Sequence, residues 1–339
     1  MAKIADWDSH IGRRLKLRNM HVFFTVVQYG SLAKAASHLG VSHPAVSQLI
    51  ADLEHAVGAR LFDRTSRGVT PTIYGQALLA RSRAAFDELK QGIRDIEFLS
   101  DPATGEIRIG CGAGIEGILV PVIEQFTRRY PGVVLDVHAE EVETLATKLR
   151  DRSLDFIVQV VRGLPSAEDP SFEDLDVEVL FDDELVVAAG LQSQWARRRK
   201  IDLADLVDEP WILTGPPTWN YRIVSEAFRA RGLGMPKVVV RTFSAYLRTT
   251  LVAAGPFIAT FPKSVARLYA DRLPLKVLPV ELPSRPWPLT IITLKNRTLS
   301  PAVQRLLDYV RDIVQPKRPQ KSANPLRSGS RQSNPLHRR

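Results

Sequence analysis

The stretch from Ser31 to Leu53, SLAKAASHLGVSHPAVSQLIADL, constrains the fold more than any other part of this 339-residue chain. It predicts two short helices joined by a tight turn. A small residue at Ala36 lets the two helix axes approach, and Gly40 accepts the positive φ of a sharp turn without strain. Val46 is then expected to fill the angle between the helices, as in a helix-turn-helix unit.

The second helix of this unit carries the polar positions of interest. We predict that Ser42 or His43 caps it and that Pro44 lies in its first turn, where a missing N–H costs nothing. The inward positions follow a 3–4 rhythm: Val46, Leu49, Ile50 and Leu53. The outward positions are His43, Ala45, Ser47, Gln48 and Asp52. Small, hydrogen-bonding groups at a helix N-terminus suit the major groove of DNA, although many helical hairpins share the pattern.

Flanking segments complete a small domain. A first helix is predicted from Leu17 to Gly30, with its apolar face at Leu17, Met20, Phe24 and Val27. After Gly58, the segments LFDR and VTPT predict a two-stranded wing with Ser66-Arg67-Gly68 at its tip. Arg64 and Arg67 are placed to reach phosphate or the minor groove, although a solvated turn would also account for either arginine alone.

The run from Leu17 to Ala85 resembles the winged helix-turn-helix of LysR-type transcriptional regulators. The matching segments are FFTVVQYGSLAKAASHLGVSHPAVSQLIADLE, VGARLFDR and TPTIYGQALL. The resemblance implies DNA contacts from the recognition helix through Ser42, His43, Pro44, Ser47 and Gln48. It also implies contacts to the backbone or the minor groove through Ser31, Lys34, Arg64 and Arg67. Position 43 is usually glutamine in the family, so histidine there leaves the base preference open.

A long helix is predicted from its N-cap Thr72 to about Leu99. Its seam recurs at intervals of three and four residues: Leu79, Ser82, Phe86, Leu89, Ile93 and Ile96. The helix leaves a small domain that offers it no second apolar surface, so we interpret the seam as a contact with another copy. The resemblance implies the same homodimer, further pairing into a homotetramer, an interrupted palindromic operator and RNA polymerase as a candidate partner.

Beyond a short hinge at 100–105, strands and helices alternate in two sets. EIRIGCG, VVLDVHA and LDFIVQVV predict a parallel βαβαβ unit. The segments VEVLFDDELVVAAG, PWILTG, KVVVRTF and PFIATF predict a second set, before PLTIITLK (288–295) and a last helix at 301–314 return to the first. This pattern resembles the two-lobed, type 2 periplasmic-binding-protein-like effector domain of LysR regulators.

The overall prediction is therefore α/β. It comprises an extension (1–16), a winged helix-turn-helix domain (17–72), a dimerisation helix (73–99), an effector domain (105–315) and a disordered basic tail (316–339).

The effector site implied by the resemblance lies between the lobes, and an organic anion is the expected ligand. The contributing residues would be Gly112, Ala113, Gly114, Ile115, Gln159, Thr214, Gly215, Phe243 and Ser244. Trp219, Tyr221 and Phe257 are candidate apolar walls. Arg162, Arg222 and Arg248 are candidate partners for an anion, and each alone would equally fit an ordinary surface charge.

An alternative function rests on residues 112–117. GAGIEG is a GxGxxG between a strand and a helix, with Asp136 expected at the end of the next strand, which is the pattern of a dinucleotide-binding fold. An NAD(P)-dependent oxidoreductase is therefore the alternative, although a winged domain has no place in such an enzyme. We expect no enzymatic activity and no catalytic residue.

Composition narrows the remaining classes. The formal charge of +9 is unevenly distributed: +4 over residues 1–100, −2 over 101–315 and +7 over the last 24 residues. Mild basicity thus accompanies the hairpin, as DNA binding requires. The single cysteine, Cys111, and seven scattered histidines predict neither a disulfide framework nor a metal site, and no cofactor is expected. Without a signal sequence or an apolar run of membrane length, we expect a cytoplasmic protein with no membrane partner.

Overall fold

A computed structural model describes residues 15–65, 68–101, 104–112, 114–160, 172–216, 218–268, 274–282 and 287–314. The N-terminal part comprises α1 (Leu17–Tyr29), α2 (Leu32–Leu39), α3 (His43–Val57), β1 (Phe62–Thr65), β2 (Gly68–Pro71) and α4 (Ile73–Ser100). The tail predicted from residue 316 and nearly all of the predicted N-terminal extension lie outside the described residues.

The predicted helix-turn-helix is confirmed. Gly40 ends α2 with φ +64°, and both Ala36 and Val46 are buried where the helices meet. The predicted face of α1 is partly wrong, because Leu17 is 60% exposed whereas Phe23 and Val26 are fully buried. Because α1 packs on both α2 and α3, its buried face is wider than the predicted face and is rotated around the helix relative to it.

The seam of α4 divides into two halves. Leu79 and Phe86 pack against the core of the winged domain, and Phe86 meets Phe24 edge to face with ring centroids 5.2 Å apart. The expectation that this domain offers α4 no apolar surface is therefore wrong for these two residues. Leu89, Ile93 and Ile96 are 49%, 58% and 65% exposed in the single chain, so only this half remains for a partner.

The rest of the described chain forms two lobes, each built on a five-stranded sheet with helices packed against it. The first, lobe 1, has the order β4-β3-β5-β12-β6. Its strands are β3 (Thr104–Gly112), β4 (Gly132–Glu140), β5 (Phe156–Val160), β6 (Leu175–Asp183) and β12 (Trp287–Leu294). Its helices are α5 (Leu119–Arg129), α6 (Val142–Arg150) and α10 (Pro301–Val314). The parallel pairing of β3 with β4 and β5 confirms the predicted βαβαβ unit, and the predicted late return is β12, which runs antiparallel to β5.

Lobe 2 has the order β11-β7-β10-β8-β9. Its strands are β7 (Leu185–Gly190), β8 (Trp211–Leu213), β9 (Val238–Arg241), β10 (Ile258–Pro262) and β11 (Leu275–Val277), and its helices are α7 (Trp219–Ala230), α8 (Ala245–Ala254) and α9 (Lys263–Leu268). The prediction that VEVLFDDELVVAAG opens the second set is half wrong. β6 pairs within lobe 1 and β7 within lobe 2, so the chain crosses between lobes at Glu184.

A buried ion-pair network joins α4 to lobe 1. The guanidinium of Arg297 is fully buried and lies 2.9 Å from Asp87 of α4 and 3.0 Å from Asp155. Arg152 also contacts Asp87, at 2.8 Å, and Arg108 contacts Asp155, at 2.9 Å. Every charge in this network therefore has an opposite charge within hydrogen-bond distance.

Candidate DNA-binding surface and interlobe cleft

The recognition helix α3 is capped as the sequence predicts. The Ser42 hydroxyl accepts from the backbone N–H of Ala45 at 3.3 Å, which leaves His43 as the first helical residue with Pro44 beside it in the first turn. His43 and Gln48 are exposed, and Ser47 is half-buried on the same side. The Gln48 amide donates to Asp52 at 2.8 Å. α3 therefore presents one polar face to solvent and its apolar face to the core.

The other predicted DNA contacts belong to the start of α2 and to the wing segment. Ser31 caps α2 by accepting from the N–H of Lys34 at 3.4 Å, and the Lys34 side chain is exposed. The predicted wing is present as the antiparallel pair β1–β2, with Arg64 opposite Val69. The side chain of Arg64 and all of Arg67 lie outside the part of the chain that the structure describes.

Two contacts fix the wing relative to α3. Glu54 of α3 accepts from the N–H of Leu61 at 2.7 Å, immediately before β1. Val69 of β2 donates its N–H to the carbonyl of Gly30 at 3.0 Å, at the corner between α1 and α2. The wing and the recognition helix are thus held as one surface.

A cavity of about 440 Å³ lies between the two lobes, a size that suits a small-molecule ligand. Four of the predicted effector residues line it: Gly114, Gln159, Thr214 and Phe243. Gly112 lies behind the wall, where a Cβ would collide with the Gln159 carboxamide. The remaining predicted residues are elsewhere. Ile115 is buried in the core of lobe 1, Ser244 caps α8, Gly215 accepts from Thr218 beside the cavity, and Ala113 lies outside the described residues.

Arg248 is the most unusual group in this cavity. Its side chain is 2% exposed, its guanidinium lies 5.2 Å from the centre of the Phe261 ring, and a Cβ on Gly114 would lie 3.4 Å from it. Within the described residues no carboxylate forms an ion pair with it, and its Nε has no hydrogen-bond partner. Burial lowers the pKa of Arg248, which the negative charge of Glu116 opposes, but a guanidinium stays protonated.

Hydroxyl groups surround the same space. Thr214 at the end of β8, Thr218 and Asn220 form a hydrogen-bonded cluster at the start of α7, and Thr218 also donates to the Gly215 carbonyl at 2.7 Å. Thr260 of β10 lines the cavity with a buried hydroxyl that has no partner among the described residues. Trp219 forms part of the wall as predicted, whereas Tyr221 and Phe257 pack in the cores of lobe 2.

The acidic side of the cavity was not predicted from the sequence. Glu140, Glu141 and Glu143 line it at the junction of β4 and α6, and Trp287 lies near Trp219 with ring centroids 5.9 Å apart. Of the three arginines singled out from the sequence, Arg222 and Arg248 line the cavity, and the alternative interpretation as a surface charge is wrong for Arg248. Arg162 lies outside the described residues.

Comparison with known proteins identifies this arrangement. Residues 17–76 match the bacterial regulatory helix-turn-helix protein, lysR family, and residues 100–315 match the LysR substrate binding domain. The chain belongs to the LysR family. It is a DNA-binding transcriptional regulator with an effector-binding domain.

Individual relatives agree with this assignment. The chain is 29% identical to the HTH-type transcriptional regulator GbpR of Azospirillum brasilense, over 91% of this chain and 88% of that protein. It is also 29% identical to the HTH-type transcriptional regulator TdcA of Escherichia coli K12, over 73% of this chain and 77% of that protein. The fold resembles a full-length OxyR variant from Pseudomonas aeruginosa, with a TM-score of 0.58 at 21% identity, covering 89% and 100% of the two chains.

The described residues of the GxGxxG motif in this LysR regulator differ from a dinucleotide-binding turn in two respects. Glu116 accepts from the N–H of Gly114 at 2.5 Å, so this N–H is already occupied and is not free for a pyrophosphate. Asp136 lies in the middle of β4, paired with Arg108, rather than at the strand's end. Both observations disagree with the oxidoreductase alternative. One backbone donor of this turn, the N–H of Gly114, thus already has a partner within the chain.

Cys111 lies at the end of β3 and is fully buried. Burial raises the pKa of its thiol far above the ordinary value, and the nearby charge of Glu116 raises it further. A buried thiol that resists ionisation is a packing residue, as the sequence analysis preferred. Among the described residues, no group of His, Cys, Asp or Glu is arranged to hold a metal ion, and no helix is long and apolar enough to cross a membrane.

Proposed function

We propose that this LysR regulator reads its operator with His43, Ser47 and Gln48 of α3. The observation that carries this proposal is the polar face of α3, whose caps and neighbours leave these side chains directed away from the core. Ser42 and Pro44 are proposed to contact DNA from the N-terminus of the same helix. Contacts to the DNA backbone or the minor groove are proposed for Ser31, Lys34, Arg64 and Arg67. An amide such as Gln48 can form two hydrogen bonds with adenine, whereas arginines of a wing neutralise phosphates.

The test separates these two roles. DNA selected from a random pool supplies the operator, and fluorescence anisotropy then measures binding to operator and to random duplexes. We expect Gln48→Ala to lose about 1–3 kcal/mol on the operator only, and Arg64→Ala to weaken binding to both duplexes and lower the salt slope by about one. Gln76→Ala and Arg81→Ala, at exposed positions of α4, are the matched controls. Equal losses on both duplexes for Gln48→Ala would refute its assignment.

We also propose that the effector is an organic anion bound at Arg248. Support comes from the burial of this guanidinium in the cavity without a carboxylate partner in the described chain. Because burying an unpaired charge is costly, a ligand carboxylate there would gain a charge-assisted, two-pronged hydrogen bond. A ligand that binds one arrangement of the lobes better than another shifts the protein toward that arrangement, which links the cavity to transcription.

A thermal-shift screen tests this second proposal. Purified protein is mixed with organic acids, aromatic acids, sugar acids and NAD(P)H. A native-state ligand at one hundred times its dissociation constant stabilises by about 2.7 kcal/mol, which is readily measured. We expect a shift with carboxylates and none with the dinucleotides. A shift with NAD(P)H alone would instead revive the oxidoreductase alternative.

The proposed assembly is a homodimer through α4, further paired into a tetramer and acting at promoters in the cytoplasm together with RNA polymerase. The dimer is supported by Leu89, Ile93 and Ile96, which form an exposed apolar strip on one helix. Ile93→Glu should give monomers by sedimentation, with Lys90→Glu as the control on the same helix. Phe86→Glu is a poorer test, since Phe86 supports the winged domain of its own chain. A stable Ile93→Glu dimer would refute the seam.

A further inference from the structure

The cavity between the lobes carries opposite charges on its two sides. Arg222 and Arg248 line it from lobe 2, and Glu140, Glu141 and Glu143 line it from lobe 1. The two sides differ from an ordinary salt-bridged surface, because no ion pair joins these arginines to these glutamates in the described chain. A ligand that fills the cavity therefore meets a positive and a negative wall at once.

The positive wall is already built for an anion. Arg248 is almost completely buried and its Nε has no partner in the described chain. The Thr260 hydroxyl, which lines the same cavity, is also buried without one. Unsatisfied buried donors are rare in native proteins, because each costs about 1–3 kcal/mol. Glu116 influences Arg248 through its negative charge, while its carboxylate accepts from the N–H of Gly114 at 2.5 Å and forms no ion pair with Arg248 in the described chain.

On the negative wall, one glutamate has a cationic partner and the other two have none in the described chain. Glu140 is neutralised by Lys148, whose Nζ lies 2.5 Å from Oε1, with His138 Nδ1 3.8 Å from the same oxygen. Glu141 and Glu143 are exposed, and the described residues contribute no cation to either of them. These two carboxylates therefore set the sign of this side of the cavity.

The two walls enclose one cavity that a single small molecule can fill. Arg248 and the three glutamates all line this space of about 440 Å³, a volume that suits a small-molecule ligand. Gly114, against which Arg248 packs, lines the same cavity. A ligand carboxylate on Arg248 therefore leaves the rest of the molecule in a space whose other wall carries Glu141 and Glu143.

We infer that the effector is a zwitterion of the amino-acid class, with its carboxylate on Arg248 and its ammonium group facing Glu141 and Glu143. This inference rests on the proposed binding of an organic anion and narrows it. A dicarboxylate that spans the cavity from Arg248 to the lobe 1 wall would bring its second negative charge against the two glutamates, and like charges in contact are unfavourable. Trp219 and Trp287 offer aromatic faces to the remaining part of the ligand.

Isothermal titration of the full chain with matched probes tests the inference. The probes are α- and ω-amino acids of two to six carbons, the monocarboxylates of equal length without the amine, the dicarboxylates, and the amines without the carboxylate. We expect an amino acid to bind at least about tenfold more tightly than its monocarboxylate, as one charge-assisted hydrogen bond provides. Neither the dicarboxylates nor the amines should bind comparably.

Variants then locate the ammonium group. The double variant Glu141→Gln/Glu143→Gln should lose about tenfold in amino-acid affinity and leave monocarboxylate affinity unchanged or improved. Glu106→Gln, at an exposed position at the far end of β3, is the control and should change neither.

The outcomes separate the two proposals. Tighter binding of monocarboxylates or dicarboxylates than of any amino acid overturns the zwitterion and keeps the organic-anion effector. Amino-acid binding that the double variant leaves unchanged also overturns the contact with Glu141 and Glu143. If no carboxylate of any class binds, both proposals fail.

Discussion

Two buried arginines in the effector domain show opposite environments. Arg297, at the joint between α4 and lobe 1, contacts Asp87 and Asp155 and also donates to the Leu154 carbonyl at 2.5 Å. Arg248, in the cleft between the lobes, is just as inaccessible to solvent but meets an aromatic ring, a glycine and the cavity itself. The first arginine completes the protein's own structure. The second forms no ion pair within the described chain, so its guanidinium remains available to a ligand.

The largest loss of stability is expected for the variant Arg297→Met. It leaves Asp87 and Asp155 buried with fewer partners, so we expect a loss of about 3–5 kcal/mol in the free energy of unfolding, measured by urea denaturation. Arg83→Met is the control, because Arg83 and Asp151 form a half-exposed pair, 2.6 Å apart, on the same joint. That variant should lose less than about 1 kcal/mol. Equal effects would mean that the buried network contributes no more than a surface pair.

The opposite outcome is expected for Arg248→Met. Ligand affinity should fall by about a hundredfold, as for a two-pronged contact to a carboxylate, while the free energy of unfolding without ligand stays equal or rises. The increase is expected because methionine removes a buried charge that has no partner in the described chain. Titration calorimetry and urea denaturation on the same preparation give both numbers. A large loss of stability with unchanged affinity would make Arg248 a second structural arginine.

Two buried threonines differ in the same way as the two arginines, although smaller effects are expected for hydroxyl groups than for charges. The Thr290 hydroxyl donates to the Gln159 carbonyl at 2.9 Å, whereas the Thr260 hydroxyl has no partner in the described chain. Thr290→Val should therefore lose about 1 kcal/mol of stability, and Thr260→Val should lose none but weaken ligand binding about fivefold. Thermal denaturation with and without ligand distinguishes the two patterns. Identical behaviour of the two variants would mean that the Thr260 hydroxyl plays no part in ligand binding.

The smallest effect belongs to an exposed pair in lobe 1. The Arg311 side chain holds the pKa of Glu178 below its ordinary value through a hydrogen bond, with its nitrogen 2.8 Å from the carboxylate. A lowered pKa stabilises the fold above the unfolded value of about 4.3, and this gain is lost as the carboxylate is protonated at lower pH. Glu178→Gln should thus cost less than about 1 kcal/mol at pH 7, and the difference from wild type should shrink as the pH falls toward about 3. A difference that grows in acid would contradict this sign.

The winged domain could be predicted from sequence because its determinants are local. Ala36, Gly40 and Val46 act on neighbours within a few turns, and their spacing alone specifies the angle between α2 and α3. The face of α1 was harder to predict, since it depends on two helices at once. Phe86 was misassigned for the same reason, because its contact with Phe24 joins two segments that are far apart along the chain.

The cleft was predicted only in outline. Four of its lining residues come from distant segments of the chain, so no local spacing indicates that they share one cavity: Gly114, Gln159, Thr214 and Arg248. The alternation of strands and helices predicts that a cleft exists, and the resemblance to LysR regulators supplied its position. The burial of Arg248 could not be read from AYLRTTLV, a sequence that equally fits an exposed helix. The acidic wall was missed because three glutamates around a helix start are ordinary at a surface.

The hydrogen bond between Gln48 and Asp52 has a consequence for how this protein searches DNA. Because the Gln48 amide donates only one of its two N–H groups to Asp52, its other N–H and its carbonyl oxygen remain available for a base. In the proposed reading role, the amide is therefore already oriented while phosphate contacts alone hold the protein on nonspecific duplex. It then loses less side-chain freedom on meeting its base than an untethered glutamine would. Asp52 thus lowers the entropic cost of each trial contact along the DNA.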